Sequence, residues 1–208
     1  MTPAPPRSGM TAAPPRSIVV VGTSWGGLDA LRSLLGALPP DLAAAVVVAQ
    51  HRSAESHPTA LRDLLGAATR LPVVEPSDKD DLRAGAVFLA PPDYHLLVDG
   101  AHVGLSVDAA VAYSRPSIDV LLESAAESYR ARCVGVILTG ANADGAHGLA
   151  RIVELGGAAI VQDPATAERP EMPAAALAAA PAARVAPLGE IAPLVVALCG
   201  RVEIGAWH

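Results

Sequence analysis

The run Ser17-Ile18-Val19-Val20-Val21-Gly22 breaks directly into Thr23-Ser24-Trp25-Gly26-Gly27, and the residues beyond it become amphipathic. Consecutive β-branched residues predict a strand buried on both faces, as in sheets covered by helices. The glycines permit a tight turn, after which Leu28, Leu31, Leu34, Leu35 and Leu38 repeat at helical spacing until Pro39-Pro40. A strand, a tight turn and a helix in this order commit the chain to an α/β architecture. The same turn lifts the Ser24 hydroxyl clear of the sheet edge, with the N–H groups of the next helix facing whatever it approaches.

The rest of the chain repeats the alternation. Residues 45–49 read as a second buried strand ending at Gln50-His51, followed by a helix around 58–65 and a short strand at 72–75. Residues 86–89 precede Pro91-Pro92, and Asp99-Gly100 between the strand-like runs 94–98 and 102–107 is a hairpin signal. A helix follows Pro116, then a strand at 134–138, a helix near 146–155, a strand at 157–161, and alanine-rich helices near 172–179 and 191–198. The predicted fold is a single doubly wound, mostly parallel α/β sheet with helices on both faces and an antiparallel hairpin at one edge.

Composition narrows the partners. The 208 residues fit one domain, and with 51% hydrophobic but only 3% aromatic residues the core must be aliphatic. A formal charge of −6 and a lone lysine, Lys79, argue against nucleic acid, which needs clustered cations. No apolar run approaches the roughly 20 residues of a membrane span, so no membrane insertion is expected. Residues 1–16 are rich in proline and alanine without an apolar signal core; they read as a disordered tail before a domain at 17–208. Cys133 and Cys199 read as small buried hydrophobes rather than a disulfide framework, and a cytoplasmic protein is the default.

Gly22-x-Ser24-x-Gly26, between strand and helix, suits a nucleophilic serine. It also suits a serine capping the helix, or a dinucleotide-binding turn in which Gly22 and Gly27 flank Ser24. Dinucleotide binding wants an acidic residue at the end of the second strand, where this chain has Gln50-His51. A serine needs a base, and a base needs an orienting carboxylate. His51, at the carboxyl end of a strand in a doubly wound sheet, is placed to be that base. His95 and His102 belong to the hairpin, His57 begins a helix, His147 is expected to face solvent, and His208 ends the chain. No pair has metal-ligand spacing, so neither metal nor cofactor is expected. For the carboxylate, Asp144 after the strand 134–138 and Asp163 after the strand 157–161 both qualify, and each also suits a helix cap or Asx-turn.

Several segments together resemble the catalytic domain of the chemotaxis protein-glutamate methylesterases, the CheB family. They are Ile18–Gly27, Ala49-Gln50-His51, 90–95, 114–122, Leu138–Gly145, 162–167 and Met172-Pro173. The resemblance implies a Ser24–His51–Asp144 triad hydrolysing glutamate γ-methyl esters on chemoreceptor helices, and deamidating certain glutamines. For that chemistry the Trp25 backbone N–H, at the helix start, is the expected oxyanion donor, with a second donor expected from the loop around Ala141. Trp25 stands where the family usually has threonine, and Ala141-Asn142-Ala143 where it has methionine, glycine and asparagine. The indole either narrows the pocket or forms a stacking wall, unless it simply covers apolar surface, and the changed run bears on access and on support for the aspartate. Many relatives carry an N-terminal receiver domain, but the 16 residues before the first strand are far below the ~50 of an ordinary domain, so a stand-alone catalytic domain is expected.

Pro116 and Ser117 read as structural, with Pro116 in the first turn of its helix. Arg115 is either an exposed arginine or a contact for an acidic receptor surface. Asp78, Asp80 and Asp81 around Lys79 read as a solvated turn. The alternative to an esterase is a non-catalytic or retargeted binding module of the same fold, and a nucleotide-binding protein is disfavoured at Gln50-His51.

Overall fold

A computed structural model describes residues 17–52 and 59–200. The tail expected over 1–16, the start of the helix at His57-Pro58, and His208 fall outside the described residues. Within them, seven parallel strands form one sheet in the order β3-β4-β2-β1-β7-β8-β9. They are β1 (Ser17–Thr23), β2 (Ala44–Gln50), β3 (Val73–Val74), β4 (Val87–Leu89), β7 (Cys133–Ile137), β8 (Ala158–Gln162) and β9 (Arg184–Ala186). β9 has no counterpart in the sequence reading, because three residues after an alanine-rich helix carry no period to detect. The hairpin forms where Asp99-Gly100 placed it, as β5 (His95–Asp99) and β6 (His102–Ser106), hydrogen-bonded to each other in a sheet of their own.

Alternation along β1 divides the core. Ile18 and Val20 point to the layer built by α3 (Ile118–Tyr129), α4 (Ala146–Glu154), α5 (Glu171–Ala179) and the hairpin. Val19 and Val21 point to the opposite layer, made by α1 (Gly27–Ala37), α2 (Ala60–Gly66) and α6 (Leu188–Cys199). The leucine stripe does what its spacing demands: Leu31, Leu34, Leu35 and Leu38 are all buried. Cys133 is buried at the start of β7, Cys199 lies half-buried in α6, and both are free thiols.

The strand order positions the site. From β1 the chain goes through α1 to β2 on one side, and from β7 through α4 to β8 on the other. Crossovers that diverge from neighbouring strands leave a crevice at their carboxyl ends, where doubly wound sheets bind ligands. Ser24 follows β1, His51 follows β2, and the loop Leu138–Gly145 follows β7. Packing across this crevice is tight enough that a Cβ at Gly22 would overlap the Ile118 side chain.

Candidate active site

Ser24 sits half-buried at the first turn beyond β1. Its N–H donates to Thr139 O at 3.0 Å, and its carbonyl accepts from Gly27 N at 3.0 Å. The bend is absorbed by Gly26, which has φ of +76° and so needs no side chain, while Ser24 itself stays outside the left-handed region. The ends of β1, β2 and β7 are laced together. Thr23 Oγ1 donates to Thr139 O at 2.8 Å, His51 N to Thr23 O at 3.1 Å, and Thr139 Oγ1 to Trp25 O at 3.0 Å. Among the described residues, the N–H groups of Trp25, Gly26 and Ala141 have no acceptor.

His51 and Asp144 meet: Nε2 lies 2.7 Å from Asp144 Oδ2. Asp163, the other candidate, instead caps the turn at 164–166 by accepting from Ala165 N at 2.9 Å. Asp144 is buried and accepts three further hydrogen bonds, from Ser117 Oγ (3.0 Å), Ile118 N (2.8 Å) and Asp119 N (2.9 Å). Two of these donors are the first N–H groups of α3, so the carboxylate occupies the positive end of a helix dipole. Burial alone pushes the Asp144 carboxyl up. The His51 hydrogen bond, the N–H groups of Asp119 and Ile118, and the charge of His51 outweigh it and hold the group below its ordinary range.

The support is reciprocal. Asp119, in the first turn of α3, accepts from Gly148 N in the first turn of α4 at 2.8 Å. Burial pushes the Asp119 carboxyl up, the Gly148 bond partly offsets that, and the charge of Asp144 adds to the rise. Ser117 is the N-cap of α3, so Pro116 stands one residue before that cap rather than in the first turn of the helix. His95 accepts from Ser117 N at Nδ1 (3.1 Å) and bonds Ala109 O through Nε2 (3.1 Å), tying the hairpin to the same helix start.

With Asp144 on Nε2, the nitrogen of His51 turned toward the crevice is Nδ1. It lies 3.3 Å from Asn142 Nδ2 and 3.5 Å from Ser114 Oγ, and among the described residues Ser24 Oγ makes no hydrogen bond to it. The sequence pointed to Asn142 only within the changed run 141–143 and gave Ser114 no role, because neither lies in a spacing pattern that points at a histidine. Beside His51 opens a cleft of about 560 Å³ lined by Arg52, Asp93, Tyr113, Ser114 and Arg115. Ser24 lies outside that lining, so the cleft adjoins His51 rather than the Ser24 hydroxyl. Arg115 is half-buried and fully engaged, donating to Asp93 Oδ1 at 2.6 and 2.9 Å and to the carbonyls of Val107 and Asp108. It braces the cleft wall, and is not the freely exposed arginine that was one expectation for it.

Trp25 does not cover apolar surface: it is 60% exposed. Its Nε1–H donates to Glu168 Oε1 at 3.0 Å, and the Arg169 guanidinium lies 5.3 Å from its ring centroid. His147 faces solvent as expected, and no group of His, Cys, Asp and Glu suited to a metal occurs among the described residues. No helix among them is long and apolar enough to cross a membrane.

A parallel sheet whose strands β1, β2 and β7 lead into Ser24, into His51 and into the loop carrying the buried Asp144 defines the class, a doubly wound α/β domain with polar side chains at its crevice. Residues 19–195 match the family model described as CheB methylesterase. A putative protein-glutamate methylesterase/protein-glutamine glutaminase of Leptospira interrogans is 42% identical over 181 residues, covering 86% of this chain and 93% of that protein. A protein-glutamate methylesterase/protein-glutamine glutaminase of Cupriavidus metallidurans is 41% identical over 91% of this chain but 56% of its own length. The crystal structure of the Thermotoga maritima CheB methylesterase catalytic domain superposes with a TM-score of 0.82 at 31% identity, covering 88% of this chain and 98% of that one. The chain belongs to the CheB methylesterase family.

Proposed function

We propose that the protein hydrolyses glutamate γ-methyl esters on chemoreceptor-type proteins, and deamidates glutamines there, with Ser24 as nucleophile, His51 as base and Asp144 as orienting carboxylate. The observation that carries this reading is the 2.7 Å contact between His51 Nε2 and Asp144 Oδ2. A carboxylate held by three other donors keeps the Nε2–H tautomer, so the Nδ1 lone pair is the one that takes a proton.

Ser24 Oγ attacks the ester carbonyl as its proton passes to His51 Nδ1. The tetrahedral oxyanion rests against the N–H groups of Trp25 and Ala141, whose lack of other acceptors supports them as donors. Collapse expels methanol, protonated by His51. Water, deprotonated by the same nitrogen, then attacks the acyl-enzyme and releases a glutamate carboxylate and free Ser24. A glutamine follows the same course with ammonia leaving. The steps balance without an added metal or cofactor, and residues 17–208 act as one catalytic unit. The partner is a methylated chemoreceptor or similar helical signalling protein, met in the cytoplasm. The held, exposed face of Trp25 supports a stacking wall beside the nucleophile.

Methanol release from methylated chemoreceptor cytoplasmic fragments tests the reading. Ser24→Ala, His51→Ala and Asp144→Asn are each expected to lose at least about 10³-fold in rate, as members of a unit acting together do. A wild-type protein that binds the fragment yet releases no methanol would instead be a binding module.

A further inference from the structure

We infer that Asn142 is a positioning residue that occupies the base of the resting site, holding the His51 Nδ1 lone pair until substrate brings Ser24 into its place. This rests on the assignment of Ser24, His51 and Asp144 above, and goes beyond it by naming what the base does before the reaction begins.

The hydrogen bonds of Asn142 fix its orientation. Its Oδ1 accepts from the N–H of Asp144 at 3.2 Å, which leaves Nδ2, a donor only, 3.3 Å from His51 Nδ1. Nδ1 must therefore accept, and the ring proton lies on Nε2, toward Asp144. One carboxamide thus reads the backbone of the carboxylate residue on one side and the base nitrogen on the other. The Nδ1 atom of an imidazole offers one in-plane lone pair. A donor already on it competes with the Ser24 hydroxyl, and in this structure Ser24 Oγ has no hydrogen bond to His51 among the described residues. Ser114 Oγ, at 3.5 Å, is at the outer limit of such contacts and adds little.

The ring does not need Asn142 to stay in place. Asp144 grips Nε2 at 2.7 Å and is itself held by Ser117, Ile118 and Asp119. What Asn142 contributes is occupancy of the lone pair. Removing it unmasks the base, so acylation of Ser24 should accelerate, whereas loss of a merely structural residue slows it.

The test is the second-order rate at which a small alkyl fluorophosphonate labels Ser24 in wild type, Asn142→Ala and Asn142→Gly. In that reaction the Oγ–P bond forms, the P–F bond breaks, fluoride leaves and the proton goes to His51 Nδ1. Both variants are expected to label roughly fivefold faster, which converts to about 1 kcal/mol. The His51 Nε2–H proton resonance should persist in both, because Asp144 still holds it. Asn142→Gly serves if Asn142→Ala does not fold. Unchanged or slower labelling of a folded Asn142 variant, with wild type labelled normally, overturns the inference alone. Failure of wild type to label at all sinks the triad reading and the inference together.

Discussion

Asp144 and Asp119 are buried carboxylates one helix start apart, yet their environments drive them in opposite directions. Asp144 lies below its ordinary range, so its contribution to stability is present above the unfolded carboxylate range and is lost as pH falls through its folded value. Asp119 lies above its ordinary value of 3.8, so ionising it in the fold is costly and acidification relieves that cost. Melting temperature followed from about pH 7 to about pH 3 should therefore fall less steeply in Asp144→Asn than in wild type. In Asp119→Asn it should fall more steeply, because the compensating gain is gone. Parallel curves for all three proteins would show that neither carboxylate is linked to folding in this way.

Among the elements, the turn between Val111 and Ser114 is unusual. Each of these residues donates to the other's carbonyl, at 3.1 and 2.9 Å, and the two between them, Ala112 and Tyr113, have φ of +48° and +63°. Positive φ at both central positions is the geometry that hairpins reserve for glycine and asparagine. Here alanine and a fully exposed tyrosine adopt it, next to the Ser114 and Arg115 that line the cleft. Backbone strain of this kind clusters at functional sites. Tyr113→Gly should raise stability by about 1 kcal/mol in urea unfolding, since a side chain in the left-handed region costs roughly that much. The same change should weaken hydrolysis of a protein substrate more than that of a small ester. A destabilised Tyr113→Gly would mean that the phenol, despite its exposure, supports the fold.

At the scale of the whole molecule, β1 and β7 form the centre of one continuous sheet, with apolar layers on both faces. Cys133 begins β7 with its thiol pushed up to about 12, and the half-buried Cys199 is raised to about 11, each by burial. Thiolate is the reactive form, so native Cys133 should resist iodoacetamide and label only as the whole sheet opens. Labelling across a urea titration should track global unfolding measured by circular dichroism. Rapid labelling of Cys133 in native buffer would show instead that β7 opens locally.

Contiguity along the chain separates the features that residue order revealed from those that depended on folding. Strands, helices, hairpin and aliphatic core were legible because periodicity and turn chemistry are properties of contiguous residues, as in 17–38 and at Asp99-Gly100. That Ser24 and His51 end strands was legible for the same reason. Which aspartate meets His51 was not legible in strand and turn pattern, where Asp144 and Asp163 follow strands in equivalent ways; only the family resemblance pointed to Asp144. The choice comes from sheet order, which sets β2 and β7 on either side of β1 and brings residues 93 apart into contact. Asn142 on Nδ1, Ser117 under Asp144, Arg115 as a brace and the short β9 belong to the same class. Each depends on partners far along the chain or on a pairing too short to leave a period, so only the folded geometry could assign them.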